Sequence, residues 1–196
     1  MGSIAGSKKL KRQMAPLFWG INRKNKRFVI TVRPGSHPKN RSMPTALLLR
    51  DVLNVVTTLR EAKSVIYNGK VIVDGIIRKS LHHSIGLMDV VELQGVSDVY
   101  RLVPTHGHTL QPIKIETDEK SKKLVKVTSK TTIKGKKTQL GFHDGRTIIT
   151  ENDVNVGDSC LIQIPEQKIL DVIKLEKDSL VIVTRGINTG QVGHVN

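Results

Sequence analysis

The spacing of apolar residues predicts a first helix in residues 44–56. Four apolar side chains stand at positions i, i+3, i+4 and i+7, namely Leu49, Val52, Leu53 and Val56. This spacing places them on one face of a helix, which we expect to pack against a core. Pro44 suits the first helical position, where a backbone N–H would have no partner within the helix.

A second helix is predicted to begin at Thr58. Thr58 and Glu61 have the spacing of a capping box, in which each side chain accepts a hydrogen bond from the other residue's backbone N–H. The expected apolar face consists of Leu59, Ala62, Val65 and Ile66. The helix should end at Asn68 and Gly69, because glycine readily adopts the left-handed conformation that closes a helix. Its N-terminus has the positive end of the helix dipole and unpaired N–H groups, which favour a phosphate.

After residue 70 the pattern changes to that of strands. Val71–Val73 and Ile76–Arg78 flank the pair Asp74-Gly75, which is typical of a two-residue hairpin turn. Met88–Leu93 is a further predicted strand. Two helices and a hairpin therefore define a small unit over residues 43–99.

Residues 100–175 are predicted to be rich in β-structure. The candidate strands are Ile113–Glu116, Lys123–Thr128, Thr138–Phe142, Arg146–Thr150, Ser159–Ile164 and Ile169–Leu175. Asp144-Gly145 is a second hairpin signal. Lysine-rich stretches at residues 120–123 and 134–137 are expected to be solvated loop tips that could also contact phosphates. The last segment, 176–196, begins with the strand Leu180–Thr184 and then becomes rich in glycine.

The charge distribution adds an expected partner. The chain of 196 residues has 32 Lys and Arg against 17 Asp and Glu, and a formal net charge of +15. Twelve of these cations lie in residues 1–50, where no acidic residue occurs before Asp51. We expect residues 1–42 to form an extended basic arm that needs a polyanion, most commonly nucleic acid, and binds it in a salt-dependent way. A solvated basic tail without a specific partner is the alternative.

Phe18 and Trp19 are the only adjacent large aromatic residues of this arm. We expect them to dock the arm onto a folded domain. Stacking on an RNA base or ribose is the alternative.

Several classes of protein are disfavoured. The single cysteine, Cys160, lies in an apolar run and excludes a disulfide framework, which suits a reducing cytosol. No apolar run approaches the roughly 20 residues of a membrane helix. His82-His83 and His106-x-His108 lack accompanying cysteines or clustered carboxylates, so no metal site is expected. The sequence contains no recognisable catalytic motif or cofactor-binding loop, so we expect no enzyme activity.

Residues 58–75, TLREAKSVIYNGKVIVDG, resemble the RNA-binding module named after bacterial ribosomal protein four of the small subunit. That module is a capped helix, a glycine turn and a V-x-V-[ND]-G hairpin, and the match runs without a gap. Leu59 departs from the module, which usually carries a basic residue there, and the neighbouring Arg60 is the candidate replacement.

Residues 183–195, VTRGINTGQVGHV, resemble the KOW motif of ribosomal proteins and transcription elongation factors. The spacing of Gly186, Gly190 and Gly193 permits a tight loop and close approach of an RNA backbone. A KOW barrel needs more strands than residues 176–196 supply, so an incomplete barrel is expected.

The order of segments resembles that of small-subunit ribosomal protein four of the archaeal and eukaryotic type. This order is a basic arm, the RNA-binding module, a β-rich middle and the KOW motif. The resemblance spans nearly the whole chain and includes residues 8–19, the PTALLLRDVL helix, GLMDVVEL at 86–93 and HDGRTI at 143–148. It implies a structural protein of the small subunit in the cytoplasm, which binds ribosomal RNA, supports assembly and translation, and contacts neighbouring ribosomal proteins. Neither a membrane nor a small-molecule substrate is implied.

The predicted fold class is α+β. A small helix–helix–hairpin RNA-binding module is followed by a β-rich, barrel-like domain and a partial KOW, SH3-like barrel. An RNA-modifying enzyme or a transcription elongation factor with the same modules remains the alternative. The candidate RNA-binding residues are Lys8, Lys9, Lys11, Arg12, Arg23, Lys24, Lys26, Arg27, Arg33, Lys39, Arg41, Arg50, Arg60, Lys63, Lys70, Arg78, Lys79, Gly186, Asn188 and Gly190.

Overall fold

The computed structural model describes residues 9–105, 109–135, 137–151 and 153–196. Within these ranges the protein is rich in β-structure and has few helices, as predicted. The strands are β1 Leu10–Lys11, β2 Phe28–Val29, β3 Met43–Pro44, β4 Val71–Val73, β5 Ile76–Ile77, β6 Ser84–Ile85, β7 Val90–Leu93, β8 Val99–Thr105, β9 Thr109–Ile115, β10 Lys122–Thr132, β11 Thr138–Phe142, β12 Thr147–Thr150, β13 Ser159–Gln163, β14 Lys168–Ile173, β15 Leu180–Ile182 and β16 Val192–His194. The α-helices are α1 Thr45–Leu47, continued by a π-helical turn Leu48–Val52, and α2 Leu59–Tyr67. Short 3-10 helices are formed by Arg12–Met14, Leu17–Trp19, Lys39–Arg41 and Thr117–Glu119.

Residues 9–42, called the basic segment below, differ from the predicted extended arm. Strands β1 and β2 pair antiparallel and form a two-stranded ribbon. Trp19 is only 1% exposed, and its Nε1 donates a hydrogen bond to the backbone oxygen of Ser42 at 2.9 Å. Ala15, Ile21, Val29 and Val32 are buried in the same core as the helices. The segment folds because these apolar side chains are spaced among its cations.

Trp19 therefore docks the basic segment, as the sequence predicted for the aromatic pair. Its neighbour Phe18 is half-buried and meets the Trp19 ring edge-on, with 6.4 Å between ring centroids. Phe18 packs against the same core.

The first helical segment is shorter than the predicted helix, and its most buried residues differ from those of the predicted apolar face. Ala46, Leu47, Leu48 and Leu49 are consecutive and all buried. The predicted face residues Val52 and Leu53 are only partly buried. The π-helical turn changes the angle between successive residues, so the i, i+3, i+4 spacing does not describe this segment.

Helix α2 confirms the prediction for its two ends. Thr58 is the N-cap, and the full capping box with Glu61 is present. Ala62 and Ile66 are buried, whereas Leu59 is 41% exposed and does not belong to the apolar face. Gly69 follows the helix with a φ of 75°, in the left-handed region that the sequence indicated.

The first five-stranded sheet has the order β5-β4-β7-β8-β9, and all its neighbours are antiparallel. The predicted turn at Asp74-Gly75 joins β4 and β5, and both residues have positive φ. The long hairpin of β8 and β9 belongs to this sheet. Strand β8 begins at Val99, where the first unit was expected to end, so the first sheet continues beyond that residue.

The second five-stranded sheet has the order β12-β11-β10-β13-β14. β10 pairs with β13 through residues 122–126 and with β11 through residues 127–132. Its core includes Val125, Val127 and Ile162, and also Val90 and Val99 from the first sheet. The two sheets thus share apolar packing. A final hairpin of β15 and β16 forms the glycine-rich end.

Among the described residues, no helix combines the length and apolar character needed to cross a membrane.

Candidate nucleic-acid interface

The β1–β2 ribbon presents a cluster of exposed cations. Lys9, Lys11, Lys24, Lys26 and Arg27 are all exposed. The sequence around them contains no acidic residue before Asp51. Lys8, also predicted to contact RNA, lies outside the described residues. The ribbon is therefore a folded element that has exposed cations and no acidic side chain of its own.

A loop after β2 adds further cations. Arg33, Lys39 and Arg41 are exposed on it. The loop is fixed by hydrogen bonds to residues 82–84, including Arg33 N–H to the backbone oxygen of His82 at 3.0 Å. These three predicted residues can reach a polyanion from a fixed backbone.

Arg12 and Arg23, both predicted to contact RNA, donate hydrogen bonds within the basic segment. Arg12 is 5% exposed, and its guanidinium donates to the backbone oxygens of Lys26 at 2.8 Å and Asn22 at 3.0 Å. Arg23 donates to the backbone oxygen of Gln13 at 2.6 Å. Both side chains hold the loop between β1 and β2 closed. The net charge of the sequence does not distinguish cations with this structural role from cations that contact RNA.

The predicted cations of the helix–hairpin unit divide into two groups. Arg60, Lys63, Lys70 and Lys79 are exposed. Arg78 is half-buried.

Arg50, predicted with this group, is already paired. Its guanidinium forms a two-point ion pair with Asp51, with Nε–Oδ1 at 2.6 Å and Nη2–Oδ2 at 2.7 Å. The hydrogen bond to Asp51 raises the pKa of Arg50 although burial opposes it. Its charge is thus partly neutralised within the chain.

The N-terminus of α2 is less open to a phosphate than the sequence indicated. The Glu61 carboxylate accepts hydrogen bonds from the backbone N–H groups of Thr57 at 2.9 Å and Thr58 at 3.3 Å. The hydrogen bond from the Thr57 N–H lowers the pKa of Glu61 most, followed by that from the Thr58 hydroxyl. A negative charge therefore already stands at this helix end, where it repels a second anion.

The glycine-rich loop between β15 and β16 contains the three predicted residues of the last segment. Gly186 and Asn188 are exposed, and Gly190 is half-buried. Gly186 and Gly190 have φ values of 97° and 86°, a conformation that other residues rarely adopt. The loop thus exposes backbone that a ligand could approach closely.

A buried ionic cluster contains charged residues that sequence reasoning did not bring together. Lys123 is 1% exposed, although it belongs to the lysine-rich stretch expected to be a solvated tip. Its Nζ lies 2.6 Å from Asp74 Oδ2, 2.6 Å from Asp89 Oδ1 and 3.1 Å from Asp144 Oδ2. Arg146 contacts the same Asp74 oxygen at 2.6 Å.

His37 joins this ionic cluster from the basic segment. Its Nε2 lies 2.9 Å and 3.0 Å from the two carboxylate oxygens of Asp89. Burial would raise the pKa of Asp89, but Lys123 and His37 outweigh it and hold that pKa well below its usual range. Burial alone would lower the pKa of Lys123, and the surrounding carboxylates instead raise it. Asp89 and Lys123 therefore form a charged pair, whereas burial and the neighbouring Asp89 carboxylate raise the pKa of Asp74 although Lys123 opposes them.

The ionic cluster gives a structural role to the motifs that carried the family resemblance. The V-D-G hairpin supplies Asp74, the G-L-M-D-V stretch supplies Asp89, and the H-D-G-R turn supplies Asp144 and Arg146. Their charges face one another inside the protein and join the two sheets. The sequence predicted the two Asp-Gly turns, but no pattern among neighbouring residues indicated that their carboxylates would contact Lys123.

No group of three His, Cys, Asp or Glu residues in the described ranges could hold a metal ion. His106 and His108 lie outside those ranges.

Comparison with known proteins identifies two matching family models. Residues 96–169 match the model described as ribosomal family S4e, and residues 5–40 match the RS4NT (NUC023) domain.

Relatives match over the whole chain. The small ribosomal subunit protein eS4 of Methanothermobacter thermautotrophicus is 40% identical over all of this chain and 81% of its own length. That of Ignicoccus hospitalis is 38% identical with the same coverage. The crystal structure of the 30S ribosomal protein S4e from Thermoplasma acidophilum superposes with a TM-score of 0.71 at 35% identity, covering 80% of this chain and 81% of that one. The chain belongs to the eS4 family of small ribosomal subunit proteins.

Proposed function

We propose that this protein is a structural constituent of the small ribosomal subunit that binds ribosomal RNA and supports subunit assembly and translation. The observation that carries this proposal is the folded basic segment, whose exposed cations have no acidic residue near them in the sequence. A surface of this kind neutralises phosphates and gains affinity by releasing their counterions. Membership of a ribosomal protein family makes the chain a structural component in the cytoplasm rather than an enzyme.

Three surfaces are proposed to contact the RNA. The first is the ribbon and loop of the basic segment. The second is the exposed side of the helix–helix–hairpin unit, with Arg60, Lys63, Lys70 and Lys79. The third is the glycine-rich loop at Gly186 and Asn188, which would act as a KOW-type contact. Neighbouring small-subunit proteins are the expected protein partners.

Recognition through these surfaces would rest on RNA shape. The cations and exposed backbone suit phosphates and riboses, which carry no base identity. Arg50 is paired with Asp51, and the Glu61 carboxylate occupies the N-terminus of α2. The exposed side chains of the second surface are therefore proposed to contact the RNA more strongly than Arg50 or the backbone at this helix end.

Sedimentation of a cell extract tests the proposal. The protein should travel with the small subunit at moderate salt. Its remaining in the soluble fraction would contradict the ribosomal function.

Charge reversal tests the helix surface separately. The Arg60→Glu, Lys63→Glu variant should bind small-subunit ribosomal RNA more weakly and keep its thermal unfolding midpoint, because both side chains are exposed. Lys174→Glu, Lys177→Glu is the matched control, since it makes the same charge change at exposed lysines outside the three surfaces. Equal affinity of the two variants would place the RNA on another face.

A further inference from the structure

Phe28 is an exposed aromatic residue within the basic segment. The protein has three Phe, two Tyr and one Trp. Trp19 and Phe142 are buried, whereas Phe28 is 47% exposed and Tyr67 is 51% exposed. Along β2 the side chains alternate, so that Val29 faces the core and Phe28 faces solvent. The ring is therefore exposed because of its position in the strand.

Two cations lie over the Phe28 ring, Lys9 from just before β1 and Arg27 from just before β2. The guanidinium carbon of Arg27 lies 5.5 Å from the ring centroid, and the Lys9 ammonium lies 5.9 Å from it. Lys11 stands directly opposite Phe28 in the β1–β2 pair, and directly opposed side chains share a face of the ribbon. The ring is thus surrounded by three basic residues.

The other exposed aromatic residue has a simpler explanation. Lys63 lies 5.5 Å from the Tyr67 ring, and the two residues are four apart in the same helix. This spacing brings side chains together in any helix. The contact of Phe28 with Lys9 joins residues distant in the sequence and depends on the fold of the basic segment.

We propose that Phe28 is a stacking platform for one unpaired base of the ribosomal RNA, and that Lys9, Lys11 and Arg27 contact the phosphates on either side of it. The inference rests on the proposed function and adds a residue and a mode of contact to it. An aromatic face accepts any base, and flanking cations hold the backbone that carries the base. A protein partner fits less well, because burying the ring against it would also desolvate the surrounding cations.

Stacking and phosphate contact have different salt dependences. Loss of a stacked base lowers affinity about 5- to 150-fold. It leaves the slope of log affinity against log salt unchanged, because no counterion is released or retained. Loss of a phosphate contact reduces that slope by about 0.7–0.9. The slope therefore separates the role of the ring from that of its neighbours.

The test measures binding of the full chain to in vitro transcribed small-subunit ribosomal RNA at several salt concentrations. Phe28→Ala should weaken binding about 5- to 150-fold with an unchanged salt slope. Phe28→Trp should bind at least as tightly as the unchanged protein. Lys9→Ala, Arg27→Ala should reduce the slope. Leu17→Ala is the control, because Leu17 is an apolar side chain of the same segment with 80% exposure and should have no effect.

The outcomes separate this inference from the proposed function. Failure of the unchanged protein to bind the RNA would overturn the proposed function. Binding by the unchanged protein, with equal affinity for Phe28→Ala, would overturn only the stacking inference. So would a reduced slope for Phe28→Ala, since the ring would then act by positioning the cations. Loss of co-sedimentation with the subunit at unchanged RNA affinity would indicate a protein contact and would also overturn it. Thermal unfolding of each variant checks that the fold is kept.

Discussion

Lys123 occupies a core position although it lies in a lysine-rich stretch. It shares the buried side of β10 with Val125 and Val127, so the strand directs its side chain inward. Three carboxylates contact its ammonium. Asp74 and Asp89 precede Lys123 by 49 and 34 residues, and Asp144 lies in a turn after it. A buried charge is tolerated only where such partners are present.

Replacing Lys123 should be strongly destabilising. Lys123→Met removes the ammonium that contacts all three carboxyl groups, and breaking a buried ion pair costs about 3–5 kcal/mol. Lys122→Met is the matched control, because Lys122 is exposed and its change should stay within about 0.5 kcal/mol. Urea unfolding of both variants measures the difference. Equal free energies of unfolding would show that Lys123 does not neutralise the ionic cluster.

His83 should make stability depend on pH. Burial, and then the charge of Arg78, lower the pKa of His83 to about 4. In the unfolded chain this pKa is near its usual value of about 6.5. As the pH falls from about 6.5 to 4, the unfolded chain therefore binds a proton that the folded protein does not, and stability is lost across that window.

Unfolding free energies at pH 7.5 and 5.0 measure this effect. After an allowance for solvent screening of a half-buried site, His83 should account for about 1 kcal/mol of the loss. Between pH 7.5 and 5.0, the free energy of unfolding of His83→Gln should fall by less than that of the unchanged protein. Burial also lowers the pKa of His143, which contributes in the same direction and remains in the variant. An identical pH dependence of the two proteins would contradict the assignment to His83.

At the scale of elements, α2 depends on its first turn. The Thr58 hydroxyl accepts the Glu61 backbone N–H at 3.2 Å, and the Glu61 side chain returns the contact. Thr58→Ala should lower the free energy of unfolding by about 1 kcal/mol. Thr58→Ser keeps a capping oxygen and should cost much less. The Thr58→Ala effect would be absent if tertiary packing alone fixed the helix start.

The elements with local signals could be predicted from the sequence. The capping box, the glycine after α2 and the two Asp-Gly turns each depend on a few adjacent residues, and each stands where it was predicted. The hairpin of β8 and β9 was largely missed because Pro104 and Pro112 weaken its strand pattern. Proline is tolerated in β9 because it is an edge strand of the sheet.

The candidate site was predictable only in part. The count of cations indicated RNA, but it could not separate exposed Lys11 from buried Arg12 beside it. Arg12 is buried because the loop from β1 to β2 returns backbone oxygens to its guanidinium. The ionic cluster was not predictable, because its partners meet only after both sheets have formed.

At the scale of the whole molecule, the basic segment shares its core with the helices. Trp19 is the only tryptophan of the chain, so its fluorescence reports on this packing. In the absence of RNA its emission should be blue-shifted relative to the urea-unfolded protein, because the ring is buried. Emission at the wavelength of the unfolded chain under native conditions would show that the segment is undocked before RNA binds.

Charge changes are a better probe of this segment than its removal. Deleting residues 1–42 would take Trp19, Ile21, Val29 and Val32 out of the core together with the cations. A loss of RNA binding by such a deletion would mix unfolding with electrostatics. Substitution of exposed lysines leaves the core intact, so the loss of affinity and the reduced salt slope both report lost phosphate contacts.

The burial of Trp19 also has a thermodynamic consequence. A segment that folds on its ligand buries apolar surface at that moment and gives association a large negative heat capacity change. Here that apolar surface is already covered by the protein's own core. Association with RNA should therefore resemble the docking of a preformed body, with an enthalpy that varies little with temperature and little conformational entropy left to lose in this part of the chain.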